Sequence, residues 1–202
     1  MQPLLRILFS LFLVVAPVAV AAAESDPHAA DRQALIKLFR EMEAAINAQD
    51  VDRMIAQMHP QVTVTWLNGE VSRGHDEVRA YYDKMVRGEK RILERYLTTA
   101  KLGKPARFFG NGEVAVADGT MKDEFFPVAR GPFSLDSNWT STSAKVGDRW
   151  QVVSMHLSSN VFTNSLLAEA ERAIWYVGAG AGIGGLLLGG LLGWLRGRRR
   201  RS

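Results

Sequence analysis

The carboxyl-terminal stretch, residues 174–202, constrains this chain more than any other feature. Residues 174–195 carry no charged side chain. At about 1.5 Å rise per residue, such a helix spans roughly the 30 Å of a bilayer's hydrocarbon core. Aromatic residues mark its ends at Trp175, Tyr176 and Trp194. These features predict a transmembrane helix over residues 174–195.

Five arginines follow this apolar run directly. They are Arg196, Arg198, Arg199, Arg200 and Arg201. Positive residues beside a spanning helix stay in the cytoplasm, so we expect residues 196–202 to form a basic cytoplasmic tail. The preceding domain then lies in the periplasm, and the chain crosses the bacterial inner membrane once. A buried glycine-rich core helix is the alternative, but it would not account for the arginines.

The amino-terminal residues 1–23 have the composition of a secretory signal peptide. Arg6 precedes an apolar run from Ile7 to Val20, and three alanines stand before Glu24. A charged start, an apolar middle and small residues at the cleavage point are typical of such signals. We expect cleavage before Glu24, with an uncleaved anchor as the alternative.

The net charge of +4 reflects these two ends. Six of the 25 lysines and arginines are Arg6 and the tail arginines, so 19 remain in the exported part against all 21 acidic residues. That part is close to neutral, and the composition gives no support to nucleic-acid binding. The chain has no cysteine, which excludes disulfides, thiol catalysis and cysteine metal sites.

Small residues recur every four positions within the apolar run. This row consists of Ala181, Gly185, Gly189 and Gly193. Faces of this kind allow helix backbones to approach closely in lipid. We therefore predict that the spanning helix also supports a homodimer.

Residues 24–162 show helical periodicity first and strand periodicity afterwards. A first helix is predicted from the Asp26-Pro27 start to about Ala48, and a second begins after Asp50 and closes at His59-Pro60. The third helix runs from Gly74 to Gly88. A β-branched strand and an Asn-Gly turn lie between the second and third helices.

Four long strands follow, connected by short turns. They are predicted over residues 92–100, 113–126, 133–146 and 149–162. Helices followed by hairpin-connected strands indicate an α+β fold with an antiparallel sheet. Residues 163–173 form a juxtamembrane linker or helix.

Three segments resemble the nuclear transport factor 2-like superfamily, in particular its SnoaL-like branch. They read NAQDVDRMIAQMHPQVTVTW, GHDEVRAYYDKMV and GDRWQVVSMHLSSNVF, and the resemblance covers residues 31–162. It implies a cone-shaped, strongly curved antiparallel sheet packed against three N-terminal helices, enclosing a pocket and commonly forming a dimer. It does not imply one activity, because such folds host enzymes and binding modules alike.

The resemblance also allows a test for isomerase chemistry. Alignment with ketosteroid isomerase-like members places the base at Trp66 and the two donors at Met42 and about Thr142. None of these side chains can perform those roles, so we expect no catalysis of that type. His156 and Asp118 remain candidate catalytic residues of other kinds. The spacing of the four histidines indicates no metal site, and no cofactor is expected.

Candidate ligand-binding residues come from the strands and the third helix. They are Trp66, Tyr82, Asn138, Trp139, Met155 and Leu157. The tryptophans either line a pocket or belong to the core. Strand alternation separates His156 from Met155 and Leu157, but it does not decide which of these faces points inward.

We therefore expect a membrane-anchored periplasmic domain that binds a small apolar or amphipathic ligand, or a protein partner. The alternative is a SnoaL-like enzyme of the isomerase or hydro-lyase class that acts on a small organic substrate. An ionisable group that meets a second polar group inside an open cavity would favour the enzyme.

Overall fold

A computed structural model describes residues 26–199, so the predicted signal peptide, residues 1–23, lies outside the described residues. The helices are α1 (Ala29–Asn47), α2 (Val51–Ile55), α3 (Gly74–Tyr82), which continues as a π-helical turn over Asp83–Arg87, and α4 (Ser165–Arg199). The strands are β1 (Met58–Thr65), β2 (Val71–Arg73), β3 (Leu93–Leu102), β4 (Arg107–Phe109), β5 (Val114–Pro127), β6 (Phe133–Val146) and β7 (Arg149–Ser159). The fold is α+β.

The seven strands form one mixed sheet in the order β2-β1-β7-β6-β5-β3, with β4 also paired to β5. The prediction of an antiparallel sheet was wrong at one point, because β1 and β7 run parallel. Hairpin turns set the direction of β5, β6 and β7 relative to one another. No turn joins β1 to β7, so the sequence pattern carried no information on that pairing.

The first strand begins earlier than its apolar pattern indicated. Asp50 caps α2, and its side chain accepts a hydrogen bond of 3.0 Å from the Arg53 amide. The helix ends at Ile55, and Met58 belongs to β1 rather than to α2. Pro60 is accommodated in the strand because the β1–β7 register shifts between Met58 and Thr63, and strands tolerate proline at such irregularities.

Side chains of α1 form hydrogen bonds with the backbone of the edge strand β3. Asn47 donates to the Thr98 carbonyl at 2.9 Å and accepts from the Thr98 amide at 2.8 Å. Glu43 accepts a hydrogen bond of 2.8 Å from the Ala100 amide. These bonds satisfy backbone groups that an edge strand otherwise leaves unpaired, and they fix α1 against the sheet. We call the sheet face that α1 covers the inner face.

The core lies on the inner face. Its fully buried members are Val51, Met54, Met58, Val62, Val64 and Val78. Each buried side chain of this size contributes about 1.5–3 kcal/mol to folding. This cluster joins α2, α3 and β1, and the cavities described below lie next to it.

The last helix continues through both the predicted linker and the predicted membrane span. Its first residue, Ser165, donates to the Ser134 carbonyl, and Glu169 lies 3.8 Å from Arg130. These contacts join the start of α4 to the sheet. Among the described residues, one stretch, Ser165–Trp194, is long and apolar enough to cross a membrane.

Candidate functional site

A cavity of about 380 Å³ lies between α1 and the inner face of the sheet. We call it the large cavity. Helix α1 contributes one wall, and β3, β5, β6 and β7 contribute the opposite wall. Its lining is mainly apolar and includes Leu35, Ile36, Phe39, Met42, Ile46, Ala117, Met121, Trp139 and Met155. A concave, mainly apolar space with a few polar groups is the usual form of a small-molecule site.

A β-bulge in β7 determines which side chains reach this cavity. Ser143 pairs with Val152 and Thr142 pairs with Ser154, so Val153 has no partner in the ladder. One unpaired residue reverses the alternation of a strand. Val152 and Met155 consequently both face inward although their positions have opposite parity.

The indole of Trp139 forms part of the wall of the large cavity. Trp139 is 7% exposed and stacks on Phe39 with ring centroids 5.5 Å apart. It lies opposite Gly119 in the β5–β6 ladder. Its Nε1 atom is buried and has no hydrogen-bond partner. A buried donor left unsatisfied costs about 1–3 kcal/mol of folding free energy.

A second cavity of about 90 Å³ lies beneath α3. We call it the small cavity. Trp66 and Tyr81 stack in its wall with centroids 4.1 Å apart, and Trp66 Nε1 donates to Ser72 Oγ at 2.8 Å. The hydroxyl of Tyr82 is buried without a partner. Burial raises the pKa of Tyr82 to about 12, so the hydroxyl is neutral at pH 7.

The two cavities are neighbours. Ile46, Met121 and Met155 line both of them. Methionine side chains adapt easily to irregular spaces. A modest rotation of Met121 and Met155 would therefore change the space available between the two cavities.

Three charged residues line the large cavity: Glu43, Arg32 and Lys104. The half-buried carboxylate of Glu43 lines it and accepts the Ala100 amide through Oε1. Arg32 lies at the rim, where it pairs with Asp26 at 2.6 Å and donates to the Ala106 carbonyl. The guanidinium also lies 5.0 Å from the centre of the Phe108 ring. Arg32 is thus engaged in joining α1 to the segment before β4.

The sequence reading missed a buried carboxylate on β5. Asp123 is 0% exposed, and Oδ1 accepts hydrogen bonds from Tyr96 at 2.7 Å and from Thr98 at 2.9 Å. Ser137 donates to Oδ2. Thr98 lines the large cavity and Tyr96 the small one, so the cluster lies in the wall behind both.

The alternation of β5 could have revealed this group. Asp123 lies on the same face of β5 as Ala115, Gly119 and Met121, which are all buried. An acidic residue at an inward position of a strand indicates either a hydrogen-bonded buried charge or a functional group. Burial first, and then the charge of Asp123, raise the pKa of Tyr96 well above its ordinary value.

The structure places the predicted ligand-binding residues on both faces of the sheet. The large cavity is lined by Trp139 and Met155, and the small cavity by Trp66, Tyr82, Met155 and Leu157. Asn138 lies on the opposite face, which we call the outer face, and lines a groove beside α4 instead. Asn138 faces away from the two cavities because it alternates with the inward Trp139.

The two candidate catalytic residues also lie on the outer face. Asp118 and His156 both pair with Thr140, one from each side. Neighbouring strands are about 4.8 Å apart, so roughly 10 Å separates the two backbones and no acid–base pair forms. His156 is exposed. Over residues 26–199, no group of three or more acidic or histidine side chains could hold a metal ion.

Comparisons with known proteins agree with this architecture. A family model described as SnoaL-like domain matches residues 39–152. The search of curated proteins found no match.

Solved structures share the fold at low identity. A putative scytalone dehydratase from Novosphingobium aromaticivorans is 11% identical with a TM-score of 0.56, covering 65% of this chain and 85% of that one. A hexachlorocyclohexane dehydrochlorinase from Novosphingobium barchaimii is 13% identical with a TM-score of 0.57, covering 67% and 90%. A putative calcium/calmodulin dependent protein kinase II association domain from Xanthomonas campestris is 13% identical with a TM-score of 0.53, covering 64% and 87%.

Proposed function

Because this chain belongs to the SnoaL-like domain family, we propose that it binds a small apolar or amphipathic molecule in the large cavity. The observation that carries this proposal is a mainly apolar space of about 380 Å³ between α1 and the inner face of the sheet. An apolar interior binds a ligand through the burial of its carbon surface, and the few polar groups set its orientation. A protein partner on the outer face is the alternative occupant.

We further propose that α4 anchors the protein in the bacterial inner membrane. The apolar stretch and the arginines after it favour a single pass with the folded domain in the periplasm and residues 196–202 in the cytoplasm. The proposed signal peptide, residues 1–23, would direct export. We also propose that the sheet is cone-shaped and that the protein forms a homodimer.

Native mass spectrometry of the full chain released from lipid nanodiscs tests ligand binding and subunit number together. Ala117→Phe places a ring in the large cavity, because Ala117 lines it. Thr140→Phe adds the same ring on the outer face. We expect a co-purified ligand mass with the wild type and with Thr140→Phe, and its loss with Ala117→Phe. An equal ligand content in all three proteins would place the ligand outside the large cavity.

A second candidate function is an isomerase or hydro-lyase that acts in the same cavity. The observation that favours it is Glu43, whose carboxylate lines the cavity and whose Oε2 makes no hydrogen bond to the rest of the described chain. A carboxylate in an apolar site can take a proton from carbon. The similarity in fold to a putative scytalone dehydratase and to a hexachlorocyclohexane dehydrochlorinase is compatible with this function.

Deuterium incorporation from D₂O into 2-tetralone tests this candidate. A base in the cavity would accelerate exchange of the α-protons, which proton NMR follows directly. Glu43→Gln keeps an oxygen acceptor for the Ala100 amide but removes the base. Exchange that is accelerated by the wild type and abolished by Glu43→Gln would support an enzyme. Equal exchange rates with and without protein would rule out this candidate, and ligand binding would remain as the proposed function of the cavity.

A further inference from the structure

The first turns of α4 run along the start of β6 towards the β5–β6 loop, residues 128–132. Ser165 donates to the Ser134 carbonyl. Four residues later in the helix, Glu169 pairs with Arg130, which precedes Ser134 by four residues. The contacts therefore move towards the loop as the helix advances, and α4 leaves the folded domain beside this loop.

The distance along α4 from this loop to the predicted membrane span is short. Ile174, where the span begins, follows Glu169 by five positions, and five helical residues extend about 7.5 Å. The headgroup layer on each side of a bilayer's hydrocarbon core is roughly 5–8 Å thick. If α4 crosses a bilayer with an ordinary tilt of about 20°, the β5–β6 loop lies at the depth of the headgroups.

The side chains at this end of the sheet suit a lipid surface. We call residues 90–95 and 127–132 together the β5–β6 end. Val128 is 53% exposed and Ile92 is 49% exposed, and the Val128 amide donates to the Ile92 carbonyl at 3.0 Å, so the two residues are neighbours. Exposed arginines accompany them: Arg91, Arg95 and Arg130. Apolar side chains enter the acyl boundary of a bilayer, and guanidinium groups donate to phosphate oxygens.

The charges near the β5–β6 end are mixed, so its attraction to a bilayer does not depend on anionic lipid. Residues 89–95, 127–132 and 169–173 contain five basic and four acidic residues. Every phospholipid supplies the phosphate group that an arginine binds. The apolar pair formed by Val128 and Ile92 is therefore the main source of attraction.

The opening of the large cavity lies at the other end of β3. This strand begins at Leu93, next to Ile92, and ends at Leu102. The exposed residues Leu102, Gly103 and Lys104 line the cavity beyond that end. A domain whose β5–β6 end meets a membrane would therefore turn this opening away from the lipid.

Building on the proposed anchoring by α4, we propose that the β5–β6 end rests in the headgroup layer of the membrane that α4 crosses. Val128 and Ile92 reach the acyl boundary, and Arg91 and Arg130 bind lipid phosphates. The contact orients the domain so that the large cavity opens towards the aqueous phase. Because the headgroup layer is hydrated, water-soluble reagents still reach the loop.

Fluorescence quenching by lipid tests this contact, since the chain has no cysteine and can carry one probe at a time. The full chain is labelled with bimane at Val128→Cys, Trp175→Cys or Val146→Cys and placed in phosphatidylcholine nanodiscs, with or without a nitroxide on the lipid headgroup. Trp175→Cys reports insertion of α4. Val146→Cys is the matched control, because Val146 is a 48% exposed valine at the other end of β6, roughly 43 Å along the strand from Phe133. We expect similar quenching at Val128→Cys and Trp175→Cys and none at Val146→Cys.

A second comparison tests whether the apolar side chain holds the contact. Bimane at Ala129→Cys is read in the Val128→Asp and Val146→Asp backgrounds. Losing the burial of about two methyl groups changes an equilibrium roughly tenfold. The ratio of quenched to unquenched lifetime components should fall by about that factor with Val128→Asp and stay unchanged with Val146→Asp. Both positions are exposed, so the two variants should keep the wild-type unfolding midpoint.

The outcomes separate the inference from the anchoring on which it rests. Quenching at Trp175→Cys without quenching at Val128→Cys would overturn the inference and leave the anchor in place. Equal quenching at Val128→Cys and Val146→Cys would also overturn it, because the domain would then have no fixed orientation. If Val128→Cys is quenched less in discs that hold two chains than in discs that hold one, a second copy of the chain covers this end instead of lipid. Without quenching at Trp175→Cys, the proposed anchoring fails and the inference fails with it.

Discussion

Gly119 lies directly opposite Trp139 across β5 and β6, and the absence of a side chain at position 119 lets the indole lie against the sheet. A Cβ atom at position 119 would come within 2.8 Å of the indole ring and within 2.0 Å of the Lys101 carbonyl oxygen. The glycine therefore sets the depth at which the Trp139 ring lies and, with it, the shape of the large cavity.

Gly119→Ala should destabilise the domain and reduce ligand binding together. The backbone carbonyl of Lys101 cannot move without shifting β3, so we expect a loss of about 1–3 kcal/mol in the free energy of unfolding. Urea denaturation followed by circular dichroism measures it. Gly131→Ala is the control, because a Cβ there meets nothing within 4 Å. Equal midpoints for the two variants would contradict the close packing at Gly119.

The buried carboxylate of Asp123 should contribute more to stability than to ligand selectivity. Asp123→Ala leaves the hydroxyls of Tyr96, Thr98 and Ser137 without their acceptor. Losing a buried network of this kind costs on the order of 2–5 kcal/mol. The neighbouring Glu124→Ala, on an exposed side chain, should change stability by about 0.5 kcal/mol or less. A similar, small loss of stability in both variants would show that the hydrogen bonds of Asp123 do not stabilise the fold.

Much of the sheet is predictable because short turns and strict alternation specify it. The structure gives β6 the predicted bounds and places β5 one residue later than predicted. The inward direction of Met155 and Leu157 depends on the bulge at Val153, so uninterrupted strand alternation does not determine it. The alternation of polar and apolar residues in the last strand is interrupted by the consecutive Val152 and Val153, and the extra residue lies at this interruption. The sequence therefore carries a local signal for the bulge.

Two other features depend on contacts between distant parts of the chain. The parallel pairing of β1 with β7 joins strands that are far apart in sequence, so no local turn encodes it. Asp123 becomes a protected charge only when Tyr96 and Ser137 come from both neighbouring strands. The unpartnered Trp139 N–H is likewise invisible in the sequence, because a missing partner is a property of the packed structure.

Stability should depend on pH through Asp31. Hydrogen bonds from Lys145 at 2.8 Å and from Trp150 at 2.9 Å hold the pKa of Asp31 below its ordinary value of about 3.9. A lowered pKa in the folded state stabilises the protein above the unfolded-state pKa, and this stabilisation is lost as pH falls through the folded-state pKa. The gap in unfolding midpoint between the wild type and Asp31→Asn should therefore narrow from pH 7 to pH 3.

Lys145→Gln provides the comparison for that measurement. The hydrogen bond from Lys145 is the largest cause of the lowered pKa of Asp31. In the Lys145→Gln background, the difference in unfolding midpoint that Asp31→Asn causes should vary less with pH. If the difference in unfolding midpoint between the wild type and Asp31→Asn stays constant from pH 7 to pH 3, Asp31 does not stabilise the fold through its charge.

The chain's lack of cysteine makes the proposed topology directly testable. Gly131→Cys places a thiol on an exposed loop of the domain, and Ser202→Cys places one at the end of the basic tail. In cells with a permeabilised outer membrane, a membrane-impermeant maleimide should label the first and spare the second. Labelling of both after lysis is the control. Labelling of Ser202→Cys alone in cells with a permeabilised outer membrane would reverse the proposed orientation.

The last prediction concerns association of α4 in the membrane. Gly185, Gly189 and Gly193 have no atom from outside the helix within 4 Å of a Cβ built on them, so this face is unoccupied in the single chain. Close packing along small residues drives helices together in lipid. Gly185→Ile combined with Gly189→Ile should weaken self-association of the full chain, measured by energy transfer between labelled copies in nanodiscs. Leu187→Ile combined with Leu191→Ile, at the same spacing on another face, should leave it unchanged. Equal energy transfer for both double variants would assign any homodimer to the folded domain rather than to the row formed by Ala181 and these glycines.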